Sequence, residues 1–171
     1  MLFISGVPFK YILGLGTGAA LLLGTLGFFT PYLQDRVKTF INPEHDAQGS
    51  SYQIRQSLIA LGSGGVFGRG FGQSIQKFSY LPEPQGDSIF AVLGEELGLV
   101  GTVGTIILYL LFTLRGLKIA KNSPDLFSRL LVSGVVIMIT AQSFMHIASV
   151  IGVFPLTGVP LVFMSHGGTA L

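Results

Sequence analysis

Asp87 is the residue of this chain best placed to act as a general base. It lies in the run YLPEPQGDSIFA over residues 80–91, one residue before the sequence becomes apolar. A carboxylate at the border between water and an apolar phase is partly desolvated, and desolvation favours its proton-bound form. Such a group can serve as a general base at a membrane surface. The alternative is structural, because Asp before an apolar run is a common helix N-cap.

Four further polar residues lie in apolar sequence. Glu95 and Glu96 follow Asp87 by about two helical turns. A charge at a bilayer centre costs about 2.5–3.5 kcal/mol, so both must face protein, water or headgroups. We expect a structural or cavity-lining role for them, with direct catalysis as the alternative. Gln142 and His146 share one helix face, where we expect interhelical hydrogen bonds, with a proton relay through His146 as the alternative.

A glycine-rich loop over residues 62–72, GSGGVFGRGFG, precedes Asp87. It is neither a dinucleotide-binding fingerprint nor a P-loop, because it lacks the strand and helix of the first and the Gly-Lys-Ser/Thr of the second. Glycines let backbone N–H groups approach an anion, and Arg69 within the loop would suit a phosphate. The alternative is that the glycines only form tight turns in a compact loop.

The elements that must position these residues are membrane-spanning helices. The chain is 49% hydrophobic and 11% charged, whereas an average soluble protein is roughly 25% charged. Three uncharged runs are long enough to cross a bilayer, which takes about 20 apolar residues. We predict spans near residues 9–29, 89–115 and 130–153, with a partial span at 159–171. The absence of cysteine excludes disulfides and thiolate metal sites.

The distribution of charge predicts the orientation of these spans. The loop 116–129 and the residue before it are basic, and short basic loops stay in the cytoplasm. Its basic residues are Arg115, Lys118, Lys121 and Arg129. The loop 30–88 then lies outside the cell. The net charge is only +2 and no basic stripe could follow a phosphate backbone, which argues against nucleic-acid binding.

The outer loop is expected to be structured, because it keeps large apolar residues that a disordered linker lacks. Two stripes at helical spacing predict short amphipathic helices, which either lie in the membrane interface or pack on each other. The stripes are Leu33, Val37, Phe40 and Ile41, then Ile54, Leu58 and Leu61.

Three stretches together resemble the SEDS family (shape, elongation, division and sporulation). They are SYQIRQSLIALGSGG at 51–65, the motifs QK, YLPE, Asp87, IFA and GEELG within 76–98, and GVFPLTGVPL with SHGGT within 152–169. The match covers nearly the whole chain. The QK and YLPE motifs are more similar to the FtsW and SpoVE branch of the family than to RodA. The resemblance implies an all-α, polytopic membrane bundle of about ten spans, each of about 20 residues.

The resemblance also implies a function. SEDS proteins are peptidoglycan glycosyltransferases that polymerise lipid II into glycan strands, during cell division or shape maintenance, with a class B penicillin-binding protein. The implied location is the bacterial cytoplasmic membrane, including the division septum, and the implied partners are membrane proteins of the divisome or elongasome. The 171-residue chain is expected to be the C-terminal part of a single SEDS domain and to be inactive alone.

The acid of the family's extracellular loop corresponds to Asp87, although the residues around it differ. The family usually has His-Thr-Asp-Phe where this chain has QGDS at 85–88, Asn in place of His146, and Ser-Tyr-Gly-Gly in place of SHGG at 165–168. These differences bear on how the substrate is recognised more than on which class of reaction is catalysed.

Glycan polymerisation needs a base for the attacking hydroxyl and positive charge for the leaving diphosphate. The candidate substrate-binding residues are Arg55, Arg69, Lys77, Gln56 and Glu83. A divalent cation, Mg²⁺ or Mn²⁺, could supply the same charge, but no ligand spacing assigns it a site. The alternative functions are a flippase or transporter of lipid-linked precursors and a non-catalytic membrane scaffold.

Overall fold

The described part of the chain is entirely helical. A computed structural model describes residues 8–30, 34 and 50–166, and it contains no strand among them. The predicted all-α class is confirmed. In chain order, the helices of these residues are α1 Phe9–Phe29, α2 Ser50–Ser63, α3 Gln76–Ser79, α4 Ile89–Lys121 and α5 Leu126–Val150.

Helices α4 and α5 form a hairpin that supports the rest of the structure. Both are long and apolar enough to cross a membrane. They approach closely at Gly116, where a Cβ atom would collide with the side chain of Val136. The hydroxyls of Thr113 and Thr140 lie 2.8 Å apart and join the two helices. Small residues and hydroxyl pairs are typical of helix contacts in membranes, where apolar burial gives little driving force.

The turn of this hairpin is shorter than the predicted loop 116–129. Helix α4 continues to Lys121, and α5 begins at Leu126 because Asp125 caps it. The Asp125 carboxylate accepts hydrogen bonds from the backbone N–H of Ser128 at 2.8 Å and from its hydroxyl at 2.9 Å. The backbone hydrogen bond first, and then the hydroxyl, holds the pKa of Asp125 below its usual range.

A break at Gly98 divides α4 into two arms. Gly98 has φ 66° and ψ −160°, inside a helix of 33 residues. A straight helix of that length would be about 50 Å long, whereas the hydrocarbon core of a bilayer is about 30 Å thick. The long arm (residues 99–121) is sufficient to cross it. The short arm (residues 89–97) carries Glu95 and Glu96, which need not enter the hydrocarbon.

The C-terminal segment (residues 151–166) differs from the predicted partial span at 159–171. Residues 159–166 form no helix. Pro160 lacks an N–H donor, and Gly158 and Phe163 have positive φ values of 66° and 70°, which interrupt helical geometry. The segment folds back onto α4, where the Tyr109 hydroxyl donates to the carbonyl of Val162. Residues 167–171 lie outside the described residues.

The buried core lies where α2, α4, α5 and the C-terminal segment meet. Its members include Ala60, Leu81, Phe90, Ile147 and Leu161. The second predicted amphipathic stripe is confirmed as helix α2, which packs against both α4 and α5. The first predicted stripe, residues 33–41, lies almost wholly outside the described residues.

The orientation remains a prediction, and cysteine labelling tests it. Gln73 and Asn122 are exposed. Gln73 follows the glycine-rich loop, which packs at the start of the long arm, and Asn122 directly follows the end of that arm. In full-length protein without other accessible cysteines, we expect Gln73→Cys to react with a membrane-impermeant maleimide on intact cells. We expect Asn122→Cys to react only after permeabilisation, because short basic turns are retained in the cytoplasm and this one is predicted to lie there. Labelling of Asn122→Cys on intact cells would reverse the orientation.

Candidate active site

Asp87 lies in a tight turn before α4 and does not cap that helix. The Asp87 turn (residues 82–88) closes when the N–H groups of Gly86 and Ser88 donate to the Glu83 carbonyl, at 3.1 and 3.3 Å. Ser88 is the N-cap residue, and its hydroxyl bonds back to Pro82 at 3.0 Å. The alternative that Asp87 is an N-cap is therefore wrong. Its half-buried carboxylate has no hydrogen-bond partner among the described residues.

The backbone on both sides of Asp87 is fixed by other elements. From α2, the Gln53 amide donates to the Ser88 hydroxyl at 3.3 Å. From the C-terminal segment, the Ser165 hydroxyl donates to the Gly86 carbonyl at 2.9 Å, and the His166 N–H donates to the Gln85 carbonyl at 2.8 Å. These hydrogen bonds hold the Asp87 turn in place and leave the Asp87 carboxylate available to accept a hydrogen bond from a substrate.

His146 of α5 is the buried polar group associated with Asp87. The residue is 1% exposed, and its Nδ1 donates to the Val159 carbonyl at 2.8 Å. The neutral ring then carries a lone pair on Nε2, which has no partner in the described part of the chain. A positive charge on this ring would be stabilised by the Asp87 carboxylate. The hydrogen bond of His146 thus goes to the C-terminal segment, while Gln142 lies half-buried one turn earlier.

Glu95 organises the chain that leads to the Asp87 turn. It is 0% exposed, and it accepts hydrogen bonds from the Ser74 hydroxyl at 2.6 Å, the Ile75 N–H at 3.1 Å and the Gln76 N–H at 3.2 Å. The last two N–H groups belong to the start of α3, where an anion is favourable. The Arg69 guanidinium lies 3.8 Å from the same carboxylate. Through these contacts Glu95 anchors the segment before α3 to α4, which is a structural role.

The glycine-rich loop lies along the break in α4. The N–H groups of Arg69 and Gly70 donate to the carbonyls of Glu95 and Glu96, each at 3.0 Å. At Gly68 a Cβ atom would collide with the Glu96 carbonyl. The glycines therefore allow backbone to pack on backbone. The N–H groups of Arg69 and Gly70 are occupied by carbonyls and cannot hold an anion, which corrects that part of the phosphate hypothesis.

The loop also replaces helical hydrogen bonds lost at the break. The N–H groups of Leu99 and Val100 donate to the carbonyls of Gly65 and Val66, at 2.9 and 3.2 Å. At Gly98, a Cβ atom would collide with the N–H of Gly68. Loop and helix are thus one hydrogen-bonded unit.

The predicted substrate-binding residues occupy different surroundings. The Lys77 ammonium lies 3.9 Å from Glu96, and the Lys77 side chain is 33% exposed. Arg55 on α2 is exposed, Gln56 is half-buried, and Glu83 is exposed with a φ of 48°. Among the described residues none of these side chains bonds to Asp87. The structure brings Arg69 and Lys77 to the two glutamates of the short arm.

A family model described as "Cell cycle protein", for FtsW, RodA and SpoVE, matches residues 1–171. The chain belongs to the FtsW/RodA/SpoVE family. It is 45% identical over 178 residues to stage V sporulation protein E of Bacillus subtilis, covering 100% of this chain and 47% of that protein. It is 42% identical over 170 residues to the probable peptidoglycan glycosyltransferase FtsW of Mycobacterium tuberculosis, covering 99% of this chain and 32% of that protein.

A solved structure supports the same FtsW/RodA/SpoVE assignment. Its subject is the structural coordination of polymerization and crosslinking by a peptidoglycan synthase complex. One of its chains matches with a TM-score of 0.71 and 28% identity, over 99% of this chain and 47% of that one. The chain spans about half the length, or less, of the curated relatives it matches. The protein is therefore a bacterial membrane protein of this family.

Proposed function

We propose that the full-length protein is an inverting peptidoglycan glycosyltransferase that polymerises lipid II, with Asp87 as general base. One observation carries the assignment: the turn around Asp87 is fixed by α2 and the C-terminal segment, yet its carboxylate has no hydrogen-bond partner in the described structure. Glu95, which anchors the chain, differs in that its carboxylate accepts hydrogen bonds from Ser74, Ile75 and Gln76. Relatives named as probable peptidoglycan glycosyltransferases support the reaction class.

The proposed step is a displacement at an anomeric carbon. Asp87 removes the proton from the attacking sugar hydroxyl, whose oxygen bonds to the anomeric carbon. The bond from that carbon to the lipid diphosphate breaks, and the diphosphate leaves with the electron pair. A positioned base contributes about 10²–10⁴-fold to the rate. Arg55 and the partly exposed side chains of Arg69 and Lys77 are the candidates to stabilise the leaving diphosphate.

A divalent cation would supply further positive charge to the diphosphate. Among the described residues no group of three or more His, Asp or Glu side chains could hold one. Mg²⁺ is commonly held by one or two carboxylates together with substrate phosphates and water. The exposed Glu83 carboxylate of the Asp87 turn fits a single-carboxylate contribution of this kind, which leaves the Asp87 carboxylate free to act as the base, and Mn²⁺ would be held in the same way.

We also propose where the full-length protein works and which proteins it works with. The protein works in the bacterial cytoplasmic membrane, at the division septum or along the elongating wall. It acts with a class B penicillin-binding protein and with membrane proteins of the divisome or elongasome. The solved chain that this one matches comes from a peptidoglycan synthase complex, which supports a partnered enzyme.

Reconstitution distinguishes the proposed enzyme from a flippase or a scaffold. Full-length protein and its penicillin-binding partner are placed in liposomes with fluorescent lipid II. We expect glycan polymer on a gel, with chain length increasing over time. Movement of lipid II between leaflets without polymer would identify a flippase. Partner binding with neither polymer nor movement would identify a scaffold.

A further inference from the structure

The turn between α4 and α5 contains a basic pocket, far along the hairpin from Asp87. The cavity has a volume of about 400 Å³ and is lined by Leu117, Ala120, Lys121, Arg129 and Ser133. Its lining residues come from the C-terminal end of α4 and the N-terminal end of α5, whereas Asp87 precedes the opposite end of α4. The basic pocket is therefore separate from the candidate active site.

Among the described residues no carboxylate forms an ion pair with the basic side chains of the basic pocket. Lys121 and Arg129 are exposed, and neither forms an ion pair in the described ranges. The acid of the turn, Asp125, keeps its negative charge, but Ser128 holds its carboxylate at the start of α5, and one acid does not balance the two cations. Two unpaired cations on one small cavity create a positive potential that attracts an anion.

The remaining lining residues indicate an amphiphilic anion. Leu117 and Ala120 provide an apolar wall, and Ser133, which is 2% exposed, provides a hydroxyl donor. Arg129 can pair with two phosphate oxygens at once, and Lys121 adds a point charge. An apolar wall beside two cations suits a lipid phosphate better than a free ion. Basic pockets between spanning helices on the cytoplasmic side bind anionic headgroups.

We propose that the basic pocket binds the phosphodiester headgroup of an anionic phospholipid, of which phosphatidylglycerol is the test case. Lys121 and Arg129 hold the phosphate, and the acyl chains lie along Leu117 on the long arm. The site does not depend on the proposed glycosyltransferase activity. It ties the cytoplasmic end of the hairpin to the surface of the membrane.

Lipid titration of the purified full-length protein in neutral detergent tests the proposal. The probes are short-chain phosphatidylglycerol, phosphatidylcholine with the same chains, and inorganic phosphate, each followed by the thermal unfolding midpoint. We expect only phosphatidylglycerol to raise the midpoint. The double variant Lys121→Gln/Arg129→Gln should bind it about 25-fold more weakly, at about fivefold for each basic residue.

The matched control is Arg115→Gln/Lys118→Gln, which removes the same charge from α4 outside the basic pocket. We expect it to weaken binding less than threefold, roughly, because its residues touch no headgroup. Equal weakening by both double variants would indicate diffuse attraction and overturn the site. An equal shift with inorganic phosphate or with phosphatidylcholine would also overturn it. Unliganded midpoints should match in all variants, since all four side chains are exposed.

Discussion

Asp87→Asn in the full-length protein is expected to lower the rate of glycan polymerisation by about 100-fold or more, while the protein inserts and folds normally. Asn has nearly the same size but cannot accept the proton of the attacking hydroxyl. The hydrogen bonds of the Asp87 turn involve backbone groups and the side chains of Ser88, Gln53 and Ser165, so the substitution removes none of them. The measurement is the rate of polymer formation from lipid II with the penicillin-binding partner present.

Asp125→Asn is the matched control for this experiment. It makes the same chemical change at a carboxylate that caps α5, and Asn caps helices about as well as Asp. We expect its polymerisation rate to stay within about twofold of wild type, because the cap is retained. Near wild-type polymer from Asp87→Asn would end the assignment of Asp87 as the base. The flippase and scaffold functions would then be favoured.

Glu95→Gln is expected to destabilise the protein by about 2–3 kcal/mol, because it weakens hydrogen bonds made to a buried charge. Both oxygens of Glu95 accept hydrogen bonds, from Ser74, Ile75 and Gln76. The glutamine amide presents one oxygen and one NH₂ group in place of the two carboxylate oxygens. At least one of the three donors therefore faces the NH₂ group, which cannot accept its hydrogen bond. The measurement is the free energy of unfolding in detergent, together with hydrogen exchange of the Ile75 and Gln76 amides.

Glu96→Gln is the control at the adjacent position. Its Oε1 has no hydrogen-bond partner in the described structure and lies 3.9 Å from the Lys77 ammonium. We expect a loss of about 1 kcal/mol or less, because the substitution removes one long ion pair whose Lys77 end is partly exposed to solvent. The Ile75 and Gln76 amides should stay protected in this variant. Equal destabilisation by the two substitutions, or unchanged amide exchange in Glu95→Gln, would contradict the role of Glu95 as an anchor.

The long helices and the family could be predicted from the sequence because both are local signals. Uncharged runs predicted the regions of α1, α4 and α5, and the spacing of Ile54, Leu58 and Leu61 predicted α2. The helix limits near the basic turn were less accurate. Composition could not reveal that a single Asp, four residues after Lys121, would start the next helix.

The partners of the site residues could not be predicted, because they are distant in sequence. Ser165 is 79 residues from Gly86, and Ser74 is 21 residues from Glu95. Gln53, Ser74 and Ser165 carried no local signal for these contacts, although Ser165 belongs to the SHGG motif. The cap interpretation of Asp87 was wrong by one residue, because the turn closes on the carbonyl of Glu83 and leaves Ser88 as the N-cap.

The close approach of Gly68 and Gly98 restricts how this sequence can change during evolution. Two packed side chains can vary together, since a smaller partner makes room for a larger one. Here a Cβ atom at either position would collide with backbone atoms of the other element, and no second substitution makes a backbone atom smaller. Each position therefore requires glycine independently of the residue at the other. A relative that lacks either glycine must have rebuilt the path of the loop across the helix.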